Sequence, residues 1–155
     1  MKNIACLLLM LFCVPVLGEE SEFYLREKDD PVVLEAFAQA RKHRDFFLTA
    51  LDARESGTSE YEHYGAYLKF EDEGQVEYLW LGDVQKYQDF YIGVILSEPQ
   101  LLSNVRDGAT IGFNASDIYD WQISEKRTGK VLGAFLICAT SDDEYLKSSN
   151  FACDP

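Results

Sequence analysis

The sequence predicts an α+β domain in which one N-terminal helix packs on a strongly bent antiparallel sheet or on a small, partly open barrel. A stripe of apolar residues at helical spacing comes first in this domain. Several segments follow in which apolar residues recur at every second position. Aromatic and β-branched residues are common in these segments, and short glycine-containing turns separate them. We therefore expect about five or six strands.

Residues 1–18 have the layout of a secretory signal peptide. Lys2 supplies a positive start, and an apolar run from Ile4 to Leu17 ends beside the small residue Gly18. The alternative is a membrane anchor, but this run is too short to cross ~30 Å of hydrocarbon at ~1.5 Å per residue. We expect cleavage after Gly18 and export, which in a Gram-negative bacterium means the periplasm.

The remaining chain is predicted to contain one domain. Residues 19–29 are polar and charged, and we expect a flexible lead-in there. Residues 30–155 show no internal repeat and no low-complexity linker. About 137 residues follow Gly18, which is enough to bury a hydrophobic core without staples.

A single helix is predicted from Asp30 to Glu55. Asp30 is suited to cap the free N–H groups of the first turn, and Pro31 suits the first helical position. Gly57 follows the expected end. The apolar stripe of this helix consists of Val33, Phe37, Ala40, Phe47, Leu48 and Leu51.

Period-two patterns predict the strands. An acidic turn at 71–74 joins the first two strands, and an Asp-Gly turn at 107–108 precedes the fourth. We expect the rings of Trp80 and Trp121 to lie in the core. The strand candidates are residues 61–70, 76–82, 90–96, 109–113 and 131–139.

The net charge restricts the classes of partner. The chain has 14 basic and 27 acidic residues, and loss of Lys2 with the signal leaves 13 against 27, a net charge of −14. This balance argues against nucleic acid and against anionic membranes. A solvated surface that keeps an exported protein soluble is one interpretation, and a basic protein partner is the sharper one.

Cysteine usage fits an oxidising compartment. Cys6 and Cys13 would leave with the signal, so that Cys138 and Cys153 remain as a pair. An even pair in an exported chain favours a disulfide. Metal binding by the two thiols is the alternative, but no histidine or further cysteine lies nearby in the sequence.

The patterns that could carry catalysis or metal binding are weak. His63 lies among Glu60 and Glu62, which could form an acid–base pair but is more typical of a surface pair, since no nucleophile stands beside it. Residues 71–73 could attract calcium, yet they lack the ligand spacing of an EF-hand. We therefore predict no catalytic residue, no cofactor and no metal site.

One aromatic motif, residues 119–121, has two interpretations. It could form a platform for a sugar or a peptide. A buried Trp121 next to a turn residue, Asp120, is the structural alternative, and it agrees better with how tryptophan is usually buried.

Several residues spaced along the strand candidates form a set of motifs: Glu77, Trp80, Gly93, Pro99, Gly108, Asp120, Trp121 and Gly133. This set resembles the bacterial YegJ-like family, the family of domain of unknown function 2314. The resemblance covers about residues 64–137. Tyr78 stands where the family usually has histidine, and Ser97 stands where it often has asparagine. The resemblance implies a common fold and a bacterial exported setting, and it implies no reaction.

These observations lead to three functional hypotheses. The first is a non-enzymatic periplasmic binding or accessory protein, for which an inhibitor or immunity protein against a basic partner is one version. The second is a small hydrolase that acts on envelope material with carboxylates. The third is a structural protein without a small ligand. A deep cleft with convergent acids would favour the enzyme.

Overall fold

The structure is a computed structural model that describes residues 30–155, so the predicted signal peptide and lead-in lie outside the described residues. The described part contains four α-helices, one short 3₁₀ helix and six strands. The helices are α1 (Pro31–Lys42), α2 (Arg44–Glu55), α3 (Phe135–Thr140) and α4 (Asp143–Ser148). The strands are β1 (Tyr61–Asp72), β2 (Gln75–Tyr87), β3 (Phe90–Ile95), β4 (Thr110–Phe113), β5 (Ile118–Glu125) and β6 (Val131–Gly133).

The six strands form one antiparallel sheet in the order β4-β3-β2-β1-β5-β6. This confirms the α+β class and the antiparallel sheet. The sheet does not close on itself, because β4 and β6 lie at its two ends. The prediction of a single N-terminal helix was wrong, since helices occur on both sides of the strands in the sequence.

The predicted first helix is divided into two at His43. Asp30 caps its start as expected, since its Oδ1 accepts the N–H of Val32 at 2.8 Å. His43 leaves helical geometry with φ −100° and ψ 7°, while its N–H still reaches the carbonyl of Gln39. The chain therefore changes direction between α1 and α2.

Phe47 of α2 and Phe37 of α1 contact different faces of the sheet, although Ala36 and Ala40 of α1 also join the core on the α2 side. Successive side chains of a strand point to opposite faces. On one face, Phe47 of α2 stacks on Trp121 with ring centroids 5.5 Å apart. On the other face, Phe37 of α1 packs on Tyr67 and Tyr78, at 6.4 and 5.8 Å.

The face below α2 holds the main core. Trp121 is fully buried, and its Nε1 donates to the carbonyl of Ala40 at 2.9 Å. Trp80 is only half-buried and lies on the opposite face, in contrast to the expectation for both rings. The other core residues on the strands of this face include Tyr64, Ala66, Leu68, Leu79, Leu81, Val84, Ile95, Phe113, Ile118 and Ile123.

The predicted strand at 131–139 ends at Gly133 and becomes a helix. Gly133 has φ +80° and Ala134 has φ +51°, so the backbone turns out of the extended conformation. The N–H groups of Phe135 and Leu136 then bond to the carboxylate of Asp120. This contact from a distant strand starts α3, and strand periodicity alone does not reveal it.

The C-terminal tail covers the outer edge of β6. Val131 donates its N–H to the carbonyl of Asn150 at 3.0 Å, and Ala152 donates to the carbonyl of Val131 at 2.9 Å. The disulfide expected from the sequence is present between Cys138 and Cys153, with Cα atoms 5.7 Å apart. It links the tail to α3.

Candidate functional site

Asp120 is the buried polar residue of the core and the most perturbed carboxyl group in the described part of the chain. Its Oδ1 accepts from the N–H groups of Trp121 and Phe135 at 2.8 and 3.2 Å, and its Oδ2 accepts from Leu136 at 2.8 Å. Burial raises the pKa of this carboxyl to about 7, and the three N–H groups act in the opposite direction. Both oxygens are thus engaged in positioning α3.

A β-bulge aims Asp120 and its neighbour Tyr119 at the same face. Asp120 pairs with Tyr67 and Ile118 pairs with Leu68, which leaves Tyr119 without an opposite residue. The extra residue changes the alternation of β5. Tyr119 therefore packs against the rings below α1, while Trp121 enters the main core.

Five aromatic rings form a cluster on this second face. Tyr67 lies at its centre, 5.7 Å from Tyr78 and 5.0 Å from Trp80. Tyr119 closes the cluster against Phe37 at 5.3 Å. Burial, followed by the charge of Asp120, raises the pKa of Tyr67 to about 12, so this phenol stays protonated at physiological pH.

The motif residues Glu77 and Pro99 hold a long loop. The carboxylate of Glu77 accepts the N–H groups of Gln100 and Leu101 at 2.9 to 3.0 Å. Pro99 is buried beside these residues. The motif thus fixes the segment between β3 and β4.

Three motif glycines are required by close packing or by backbone conformation. A Cβ on Gly93 would lie 3.0 Å from the Cβ of Leu81, and Gly108 has φ +73° in the turn before β4. A Cβ on Gly133 would lie 2.3 Å from the carbonyl oxygen of Trp121. These positions shape the sheet and carry no reactive group.

The acidic hairpin, defined as Glu71, Asp72 and Glu73, lies at the far end of β1 and β2. Glu71 pairs with Lys69 at 3.1 Å, an exposed contact that adds little stability. Asp72 accepts the hydroxyl of Ser103 at 3.1 Å. The hairpin therefore presents a negative tip that is braced against the loop before β4.

Neither histidine forms a catalytic arrangement. His63 is exposed and has φ +52°, and its Nε2 lies 3.8 Å from the carboxylate of Glu62. His43 occupies the turn between α1 and α2 and stacks on Phe135 at 5.8 Å. The His63–carboxylate contact is a surface pair.

No group of three or more His, Cys, Asp or Glu side chains within residues 30–155 is arranged to hold a metal ion. No helix in the same range has the length and apolar character to cross a membrane.

The sequence patterns missed two features that the fold creates. One is the aromatic cluster, which unites residues from four elements that are distant in sequence. The other is the edge strand β4, whose position at the end of the sheet follows only from the strand order. The bulge at Tyr119, which breaks period two, is the one local signal of the cluster.

Together, the fold and these contacts define a small α+β domain. The family model described as "Uncharacterized protein conserved in bacteria (DUF2314)" matches residues 30–145, and the chain belongs to this family. The chain is also similar to "Uncharacterized protein YegJ" of Escherichia coli (strain K12), with 28% identity over 109 residues, 70% of this chain and 67% of that protein. No solved structure matches the chain. The resemblance drawn from the motifs is confirmed.

Proposed function

We propose that this chain is an exported bacterial accessory protein that binds a basic protein in the cell envelope. The excess of acidic over basic residues carries the proposal, because it creates a field that attracts cationic partners. The predicted signal at 1–18 and the paired cysteines support export. An inhibitor or immunity protein is one concrete form of this function.

The acidic hairpin is the part of this surface best placed to steer a partner. Glu71 and Glu73 are exposed at the turn, Asp72 is half-buried and accepts from Ser103, and Lys69 pairs with Glu71. Exposed charges mainly accelerate encounter, while buried aromatic contacts supply affinity. We therefore expect the hairpin to influence the association rate of the complex.

Capture of a partner from periplasmic extract, followed by surface-plasmon kinetics, tests the proposal. The triple variant Glu71→Gln, Asp72→Asn, Glu73→Gln should slow association about tenfold at low salt, with little change in dissociation. The effect should shrink as salt rises. Failure to capture any basic protein at low salt would contradict the proposed function.

A matched control neutralises three other exposed acids, Glu55, Glu60 and Glu62. Glu62 and Asp72 are ten residues apart on β1, which at ~3.3 Å per residue is roughly 33 Å and several Debye lengths of ~8 Å. This variant has the same net charge as the hairpin variant. It should associate faster than the hairpin variant if the hairpin faces the partner.

The hydrolase alternative has one observation in its favour, the raised pKa of Asp120. A carboxyl group with a pKa near 7 suits general acid or base catalysis. However, its side chain is fully buried and both oxygens accept backbone N–H groups. An envelope-degrading activity that Asp120→Asn abolishes in a folded protein would establish the alternative.

A further inference from the structure

The edge of the sheet formed by β4 is open within residues 30–155. The N–H of Ile95 donates to the carbonyl of Ala109 at 3.0 Å. Backbone direction alternates along a strand, so Thr110 and Gly112 point their N–H and C=O groups away from β3. Both residues are exposed, and these outward groups meet no hydrogen-bond partner in the described part of the chain.

β4 is only four residues long, which itself limits strand addition, but it carries no other device that usually discourages it. Natural edge strands are protected by charged side chains, proline, a bulge or a covering segment. Residues 110–113 are Thr, Ile, Gly and Phe, and they pair with β3 in continuous register. The opposite edge, at β6, is covered by the tail.

Two depressions lie beside β4. The first has a volume of about 400 Å³ and is lined by the apolar residues Val105, Ala109 and Ile111 and by the polar residues Ser103, Asn104 and Arg106. The second, of about 380 Å³, is lined by Asp89, Phe90 and Gly112 among others. Because Ile111 and Gly112 are successive, their side-chain positions lie on opposite faces.

We propose that β4 accepts an extended, basic segment of the partner protein as a seventh strand. Main-chain bonds to Thr110 and Gly112 would provide affinity, as in other cases of strand addition. An apolar side chain of the segment would enter the first depression. The next side chain, a lysine or arginine, would lie over Phe90 beside Asp89. This inference rests on the proposed function and names its binding mode.

Charge decides between the possible occupants of this edge. A second copy of the chain would bring together two proteins of net charge −13. Such pairing is opposed by repulsion, whereas a basic segment is attracted. At one end of the edge the exposed carboxylate of Asp89 increases this difference, whereas at the other end Asp107 is accompanied by the exposed cation Arg106.

A synthetic peptide of alternating valine and lysine is the probe, and titration calorimetry with the mature protein is the measurement. A peptide of the same composition with valines and lysines in separate blocks is the first control. A peptide with N-methyl groups on one edge, which removes its donors towards β4, is the second. Both controls should bind at least about tenfold more weakly.

Substitutions at β4 provide matched variants. Gly112→Pro removes the outward N–H and should weaken peptide binding about tenfold. Gly112→Ala keeps that N–H while its Cβ would lie 3.3 Å from the ring of Phe90, so it separates the lost N–H from the added atoms and should bind more tightly than Gly112→Pro. Thr110→Pro is the second blocking variant, with Thr110→Ser as its control. Asp89→Asn should weaken the lysine peptide about threefold and leave a glutamine-substituted peptide unchanged.

Amide hydrogen exchange locates the bound peptide. With peptide present, the amides of Thr110 and Gly112 should become at least about tenfold slower to exchange.

The proposal is overturned if these amides stay unprotected, or if Gly112→Pro and the N-methylated peptide bind like their parents. Protection without peptide that rises with protein concentration would assign the edge to a second copy. Protection that is lost on deletion of residues 19–29 would assign it to the chain's own lead-in. Either result overturns the basic-segment proposal.

The same variants separate this inference from the proposed function. If the captured partner responds to the acidic hairpin but binds Gly112→Pro normally, the protein is a binder and the β4 inference fails. If the alternating peptide adds to β4 but no basic protein is captured from the envelope, the proposed function fails.

Discussion

The two edges of the sheet differ in how they end. At β6, the C-terminal tail satisfies the outer backbone of Val131, and the Cys138–Cys153 disulfide holds that tail in place. At β4, the outer groups of Thr110 and Gly112 face solvent in the described structure. An unprotected edge is an aggregation hazard. The open edge at β4 is therefore more informative about function than the covered edge at β6. A domain that covers one edge with its own chain and leaves the other available is suited to bind an extended segment there.

The largest expected loss of stability is at Trp121, in the main core. Trp121→Ala should lower the free energy of unfolding by about 3–5 kcal/mol, because the ring is fully buried against Phe47 and its Nε1 bonds to the carbonyl of Ala40. Denaturant midpoints at constant m-value measure the change.

Trp80→Ala is the control for this substitution. Its half-buried ring lies on the second face, so the loss should be about 1–2 kcal/mol. Equal losses at Trp80 and Trp121 would show that the two faces contribute alike and would contradict the placement of the main core.

The next prediction concerns how the free energy of unfolding depends on pH through Asp120, whose carboxylate contacts the start of α3. The pKa of Asp120 is about 7 in the folded state against 3.8 for an unperturbed group, so folding favours the protonated form. The contribution of Asp120 to the free energy of unfolding is therefore complete below pH ~4 and is lost as pH rises through ~7. A shift of this size corresponds to about 4 kcal/mol.

The stability advantage of the parent over Asp120→Asn should therefore shrink between pH 4 and pH 8. Denaturant unfolding of both proteins at the two pH values measures it, and exposed Asp107→Asn serves as the control. An advantage that grows with pH would mean that the three N–H bonds outweigh burial and that the carboxyl is ionised throughout.

Removal of the disulfide should open the closed edge selectively. The double variant Cys138→Ala, Cys153→Ala should lose about 3 kcal/mol, since the bond closes a loop of 15 residues in the unfolded chain. Amide exchange should become faster at Val131 and Ala152 and stay unchanged at Gly112. Equal acceleration at both edges would show that the bond acts globally.

Two proline substitutions compare the edges, because each removes one backbone N–H group. Gly112→Pro should cost less than about 1 kcal/mol, because the N–H that it removes has no partner within residues 30–155. Ala152→Pro should cost about 1–3 kcal/mol, because that N–H bonds to Val131. Thermal unfolding of the two variants gives the comparison. Gly112→Ala adds the same Cβ, 3.3 Å from the ring of Phe90, and serves as the reference. A loss from Gly112→Ala to Gly112→Pro that exceeds the loss at Ala152→Pro would show that the β4 edge is already occupied.

The parts of the fold that depend on local pattern could be predicted from the sequence. The Asp30-Pro31 start of α1 and the strands around Tyr64 and Leu79 follow from capping chemistry and from period two. The break at His43 and the ending of β6 at Gly133 could not be predicted, because they depend on contacts between residues far apart in the chain. The contact from Asp120 to α3 spans 15 or 16 residues.

The candidate site was less predictable than the fold for the same reason. Burial of Trp121 was expected from the sequence and is confirmed, but the sequence does not show that Asp120 accepts the N–H groups at the start of α3. The open edge at β4 depends on the strand order and on the path of the tail. Composition alone did indicate the acidic character on which the proposed function rests.

Native-state amide exchange of the protein without partner is the most direct test of the difference between the edges. Thr110 and Gly112 should exchange near the rate of unstructured amides, while Val131 and Ala152 should be slower by at least about a hundredfold. Protection of Thr110 and Gly112 equal to that of Val131 and Ala152 would contradict the account, because the β4 edge would then be closed.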